Sequence, residues 1–230
     1  MSNSMVKVLV VDDEPPIRKL LRVGLSAEGY EIVEASTAAQ AMERIKNDGP
    51  DLVLLDLGLP DMQGHDLLHK WRSDLLELPI IILSSRTDEA GIVKALELGA
   101  DDYVTKPFGT KELVARIRVA LRHGLQQQGE RPIFQTGNLS VDLVKRIVRV
   151  ADREVKLSPK EYDILRILVQ HAGKVITHRH LLDKVWGGST DIQYLRVYVR
   201  QLRQKIERAS GEPQYITTET GVGYRLRDAD

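Results

Sequence analysis

Five short apolar runs, at about residues 6–11, 30–34, 51–55, 79–83 and 102–105, alternate with amphipathic segments through the first half of the chain. Runs such as Val8-Leu9-Val10-Val11 and Leu52-Val53-Leu54-Leu55 show no polar alternation, so both faces of each strand must be covered. That is the situation of a parallel sheet held between helices. The intervening segments carry Ile17, Leu20, Leu21 and Leu25, or Ala41 and Ile45, at helical spacing, and Gly29 and Gly99 stand where helices have to stop. Right-handed crossovers of this length, over about 120 residues, predict an α/β domain with a five-stranded doubly wound (flavodoxin-like) sheet.

Ligands bind at the carboxyl edge of such a sheet, and that edge is chemically unusual here. The first strand ends at Asp12-Asp13-Glu14, with Pro15-Pro16 opening a helix behind it. The third ends at Asp56, followed by a loop through Gly58, Pro60 and Gly64. The fourth ends in Ser84-Ser85, and the fifth, Tyr103-Val104-Thr105, runs into Lys106-Pro107. Each residue alone has an ordinary explanation: a turn or cap for Asp56, a cap for Ser84, solvation for Lys106. Convergence of four strand ends on one chemistry is harder to dismiss. Three crowded carboxylates repel one another unless a cation neutralises them, and hard oxygen ligands are those Mg²⁺ selects. With Mg²⁺, Lys106 and Ser84 each on one oxygen, the edge can hold a tetrahedral anion on Asp56.

The length of 230 residues suits two ordinary domains. Absence of cysteine excludes disulfides and thiolate zinc sites. No apolar stretch approaches the roughly 20 residues of a membrane span and no leader is read, so a cytoplasmic protein without a membrane partner is expected. The net charge is zero, yet residues 1–123 hold 15 Lys and Arg against 20 Asp and Glu, whereas 124–230 hold 18 against 13. An acidic half followed by a basic half fits a regulatory domain joined to a nucleic-acid reader.

Residues 122–132, R-H-G-L-Q-Q-Q-G-E-R-P, read as a linker, which divides the chain into 1–122, a connection at 123–132, and 133–230. Short alternating segments follow at Leu139–Asp142, Ile147–Val150 and Glu154–Leu157, predicting a small antiparallel sheet. Ser158-Pro159-Lys160-Glu161 is a capping box ahead of a helix through Ile164, Leu165, Leu168 and Val169. A second helix, about 178–185, is capped by Thr177. His178 and His180, two apart, lie on different sides of it and read as surface or phosphate-adjacent residues. The third, about 191–208, buries Leu195, Val199, Leu202 and Ile206, leaving Arg196, Arg200, Arg203, Lys205 and Arg208 to project away. Residues 216–226 form a hairpin after it. This is an α+β winged helix-turn-helix order.

The acidic pair Asp12-Asp13, Asp56 in D-L-G-L-P-D-x-x-G, Ser84, Tyr103 and Lys106-Pro107-Phe108 together resemble the receiver domain of bacterial two-component response regulators, over residues 6 to about 122. The resemblance implies that Asp56 is a phosphoacceptor served by a sensor histidine kinase. It also implies that Asp13, Asp56 and the Gly58 carbonyl ligate Mg²⁺ with Asp12 assisting, that Ser84, Lys106 and Tyr103 form the switch, and that the Lys106–Pro107 bond is cis. Ser84 stands where many receivers have threonine. Residues 133–227 resemble the winged-helix effector domain of the OmpR/PhoB class, through Y-L-R-V-Y-V-R-Q-L-R-Q-K-I-E and T-x-x-G-V-G-Y-R. Within that class the wording looks closest to the KdpE-type subgroup that regulates potassium transport.

Such a protein is expected to dimerise when phosphorylated, to bind tandem half-sites on double-stranded DNA and to engage RNA polymerase. Arg200 and Arg203 are expected on phosphates and Arg196, Tyr198 and Gln201 at base edges, where glutamine pairs with adenine. Lys205, Thr220 and Tyr224 complete the interface, with Thr220 beside Glu219 where many members have a wing-tip arginine. The dimer is expected through the fourth helix, fifth strand and fifth helix, using the apolar patch Ile92, Val93, Leu96 and Val114. Resemblance places Asp102 opposite Arg116 and Glu97 opposite Arg118 across a two-fold axis, and leaves Glu112 without a partner because Ile92 replaces a usual base.

Two other readings use parts of the same pattern. A phosphatase of the haloacid-dehalogenase type also has an aspartate nucleophile after a strand, but after its first strand and with a second aspartate two residues on, where this chain has Gly58. A DNA-binding regulator with a phosphate-independent receiver is the other, and a mobility shift with and without a phosphodonor separates it.

Overall fold

The computed structural model describes residues 5–74, 77–188, 190–207 and 215–228. They form two compact units that meet in sequence at Gly129 and Glu130. In the first, strands β1 (Val6–Val11), β2 (Tyr30–Ala35), β3 (Leu52–Asp56), β4 (Ile80–Ser84) and β5 (Asp102–Thr105) make one parallel sheet in the order β2-β1-β3-β4-β5. Helices α1 (Pro15–Ala27), α2 (Ala38–Asp48), α3 (Gly64–Ser73), α4 (Glu89–Glu97) and α5 (Thr110–Gln127) link and flank the strands. The doubly wound sheet read from the apolar runs is present. Its strand order reverses at β1, so the crevice between β1 and β3 opens where Asp12 and Asp56 end their strands.

β3 and β4 are buried at every position. Leu9, Val53, Leu55, Ile80 and Ile82 pack there with Leu67, Leu68 and Trp71 of α3, and each such aliphatic side chain contributes about 1.5–3 kcal/mol by leaving water. Gly29 and Gly99 follow α1 and α4 with φ of +87° and +96°, the left-handed stops that were expected. Leu20 departs from expectation: α1 buries Leu21 and Leu25 but turns Leu20 and Val23 to solvent.

The linker reading is corrected over its first half. α5 runs on to Gln127, because Leu113, Ile117, Leu121 and Leu125 continue one buried stripe and Gly124 packs against Pro79.

In the second unit, β6 (Ile133–Thr136), β7 (Leu139–Asp142), β8 (Ile147–Val150) and β9 (Arg153–Val155) form an antiparallel sheet in chain order. Then come α6 (Pro159–Gln170), β10 (Val175–Thr177), α7 (His178–Trp186), α8 (Ile192–Ile206), β11 (Ile216–Glu219) and β12 (Gly223–Leu226), with a second sheet ordered β10-β12-β11. β6 and β10 were not anticipated. The capping box forms on α6, Thr177 caps α7 and Asp191 caps α8. α8 buries Leu195, Val199, Leu202 and Ile206, as their spacing predicts; Arg208 lies outside the described residues.

Candidate phosphoacceptor site and DNA interface

The start of α3 is pressed against the end of β3, which fixes Asp56. A Cβ at Gly64 would lie 2.6 Å from Leu57 Cα and 2.7 Å from the Asp56 carbonyl oxygen, and the Gly64 amide donates to Leu57 O at 3.0 Å. Only glycine permits that approach. Asp56 Oδ2 accepts from the Gly58 amide at 2.7 Å, so the loop after β3 turns back onto its own carboxylate. Asp61 anchors the far side of that loop by accepting from the Ala38 and Ala39 amides at 2.9 and 3.0 Å, bonds that lower its pKa.

Lys106, from the end of β5, bridges the two buried acids, with Nζ 2.8 Å from Asp12 Oδ2 and 2.9 Å from Asp56 Oδ1. Asp12 is 1% exposed. Burial raises its pKa, against the bonds from Lys106 and the Glu14 amide. Burial alone would lower the pKa of Lys106, but its hydrogen bonds to Asp12 and Asp56 outweigh this and raise it. The expected crowding of three carboxylates is thereby corrected: Asp13 is exposed, and the ammonium fills the space between the other two. Among the described residues no group of three or more acidic or histidine side chains is gathered as a metal cluster. The donor set still suits Mg²⁺, since every available atom is a hard oxygen and the buried acids require positive charge.

Ser84 is buried at the end of β4, and its Oγ accepts from the Arg86 amide at 3.2 Å. Tyr103 is half-buried, its hydroxyl donating to the Arg86 carbonyl at 3.0 Å. Both side chains thus bind one peptide segment. Arg86 was missed because only its backbone takes part. The Lys106–Pro107 bond is cis.

Two features of the expected dimer face differ within the single chain. Val114 is 3% exposed, so the apolar patch reduces to Ile92, Val93 and Leu96. Glu112 is not alone: Arg116 contacts both Glu112 and Asp102 at 2.9 Å within the same chain. Within the chain Arg118 lies 3.7 Å from Glu28.

On the second unit, Arg196, Arg200 and Gln201 are exposed on α8, Tyr198 is half-buried 5.5 Å from the Trp186 ring, and Thr220 is exposed in the β11–β12 turn. Three expected DNA residues are otherwise engaged. Arg203 bonds β11 (below), Lys205 pairs with buried Glu161 at 2.6 Å, and Tyr224, 5% exposed, packs 5.3 Å from the His178 ring. His178 has its pKa lowered by burial and by Arg196, and His180 lies 6.0 Å from His171. Tyr194, Val197 and Val222 are exposed apolar residues that the sequence reading passed over. Val197 was legible, since it falls opposite the Leu195–Val199–Leu202–Ile206 stripe on the helical wheel.

A family model for response regulator receiver domains matches residues 8–118, and one described as "Transcriptional regulatory protein, C terminal" matches 152–226. The chain belongs to the response regulators of the OmpR/PhoB type and is a phosphorylation-activated, DNA-binding transcription regulator. Within that class it is similar to the transcriptional regulatory protein KdpE of Mycobacterium tuberculosis, at 45% identity over 225 residues covering 96% of this chain and 99% of that one. It is also similar to the KDP operon transcriptional regulatory protein KdpE of Escherichia coli, at 42% over 227 residues with 96% and 99% covered. A CheY-like receiver from Methanospirillum hungatei aligns with 54% of this chain and 99% of its own at 31% identity and a TM-score of 0.51. This family consists in general of phosphoacceptors that are not enzymes, receivers typically bind Mg²⁺, and a sensor kinase and DNA are the implied partners. No described helix is long and apolar enough to cross a membrane.

Proposed function

We propose that Asp56 is the phosphoacceptor and that this chain switches potassium-transport genes from the cytoplasm. The observation that carries the site is the Lys106 bridge between Asp12 and Asp56 at a strand edge that also holds Ser84. An Asp56 carboxylate oxygen attacks the phosphorus of a phosphohistidine on the sensor kinase. The new O–P bond forms as the P–N bond breaks, and the imidazole leaves. Lys106, 2.9 Å from Asp56 Oδ1, orients the carboxylate and then faces a phosphoryl oxygen. Asp13, Asp56 and the Gly58 carbonyl, with Asp12 assisting, would hold Mg²⁺, which supplies charge neutralisation for phosphoryl oxygens. Small donors such as acetyl phosphate serve by the same attack, with acetate leaving, and water attacking the phosphorus of the aspartyl phosphate restores the carboxylate and releases inorganic phosphate. Protein treated with acetyl phosphate should gain one phosphoryl group by mass spectrometry. Gain by Asp56→Ala, or indifference to EDTA, would show the site to be wrong.

The phosphoryl group draws Ser84 inward, its Oγ leaves the Arg86 amide, and Tyr103 turns into the vacated space. Receivers then pair through α4, β5 and α5, bringing two winged helices to tandem half-sites and to RNA polymerase. Asp102, Glu112 and Arg116 are already paired within the chain, so exchanging them across a two-fold axis gains little, exposed pairs giving about 0–1 kcal/mol each. Ile92, Val93 and Leu96 carry the association, with Glu97 and Arg118 at its rim. Sedimentation with beryllofluoride should show dimers of wild type, monomers of Leu96→Asp, and weakened dimers of Arg116→Glu. A dimer that persists in both variants rules out this face.

On DNA, α8 enters the major groove with Arg200 on phosphate and Arg196, Tyr198 and Gln201 near base edges.

A further inference from the structure

The last turn of α8 grips the first residues of β11. Arg203 Nε and Nη2 both donate to the Ile216 carbonyl, at 3.0 and 2.6 Å, and Nη2 also donates to Thr218 Oγ1 at 2.8 Å. Its guanidinium lies 5.7 Å from the Tyr224 ring centroid. One turn on, Glu207 Oε1 accepts from the Tyr215 and Ile216 amides at 3.1 and 2.8 Å. One cation and one anion thus take the carbonyl and the amide of the same residue. β11 is the outer strand of its sheet, paired among the described residues only with β12, so the Ile216 amide and carbonyl face away from the ladder. An unpaired strand edge needs partners, and charge-assisted bonds are the strong kind.

We propose that Arg203 and Glu207 are positioning residues that fasten the β11–β12 hairpin to α8, so that helix and wing meet DNA as one rigid body, and that Arg203 makes no phosphate contact. The proposal rests on the reading of α8 and the hairpin as the DNA-facing surface. It carries a distinctive sign. An acid that merely borders a polyanion weakens binding, so its removal should strengthen it; removal of an acid that holds the wing should weaken binding.

The test uses the full-length protein and a duplex selected from random DNA, with anisotropy measured across a salt series. Glu207→Ala should bind roughly tenfold more weakly, whereas Glu207→Gln, whose Oε1 still accepts from both amides, should stay within about twofold of wild type. Arg203→Met should lose roughly tenfold at every salt concentration with the slope unchanged, while Arg200→Ala flattens the slope by about one unit. Thr218→Val, which removes one acceptor and suits a strand, provides a milder variant with a loss of about twofold. Without DNA, amide exchange over residues 215–219 should quicken roughly tenfold in Glu207→Ala while residues 192–202 stay unchanged. Tighter or equal binding by Glu207→Ala, a flattened slope in Arg203→Met, or unaltered exchange at Tyr215 and Ile216 overturns the proposal. If Arg200→Ala binds as wild type while exchange still responds to Glu207→Ala, the docking surface is wrong and the fastening stands.

Discussion

Lys106→Met is expected to destabilise the first unit by about 3–5 kcal/mol at neutral pH, because it leaves two buried carboxylates without their cation. The ammonium is within 3 Å of Asp12 and Asp56, whose side chains are 2% and 10% exposed. The loss should depend on pH with a definite sign. Burial already holds the Asp12 pKa above its ordinary value, and removal of Lys106 raises it further. The folded variant then binds a proton that the unfolded chain releases near pH 4, so its stability falls as pH rises through the folded pKa and partly returns on acidification from pH 7 to 5. In wild type the raised pKa of Lys106 works in the alkaline range: its contribution is complete below 10.5 and disappears as pH rises through the folded value. Urea midpoints at pH 5 and 7 for wild type, Lys106→Met and Lys106→Met with Asp12→Asn provide the comparison. A single variant no more pH-dependent than the double variant would refute the account.

The second large effect is expected at Gly223→Ala. A Cβ there would lie 1.9 Å from the Ile176 carbonyl oxygen, 2.7 Å from its carbon and 2.9 Å from Thr177 Cα, all backbone atoms that no rotamer change can move. Gly223 pairs with Thr177, which also caps α7, and the His178 amide donates to Val222 O at 3.0 Å. Displacing β12 therefore disturbs β10 and the first turn of α7 together. A cost of about 3 kcal/mol corresponds to a fall of roughly 12–20 °C for a domain of this size. Calorimetry should show the winged-helix transition shifted and the receiver transition unmoved. Retention of the wild-type profile would mean that β10 and β12 do not approach as described.

Much of this architecture is legible in the sequence for a simple reason. Strands covered on both faces must be apolar throughout, so β1, β3 and β4 announce themselves, and the residues that end them mark the site. Short half-covered strands give weaker signals. β10 has three residues of which only Ile176 is buried, and β6 begins with exposed Ile133 directly after a polar stretch. The glutamines and Gly124 concealed the end of α5, although Leu121 and Leu125 continue its four-residue stripe. Charges were least legible. Arg200, Arg203 and Lys205 look alike along the chain, yet Arg203 is turned to a carbonyl and Lys205 to a buried glutamate, because acceptors distant in sequence decide where a long side chain ends. The Asp102–Arg116 pair escaped notice for the same reason, whereas Glu112 and Arg116, four apart on α5, were legible as a helical pair.

Ser84 and Tyr103 both hold position 86 by its main chain, one through the amide and the other through the carbonyl. On the switching route proposed above, the information passed from phosphate to surface is therefore written without a side-chain letter. Both contacts leave the side chain of residue 86 out of that route, and proline there would remove the amide that Ser84 binds. A survey that ranks positions by side-chain identity would pass over a contact of this kind.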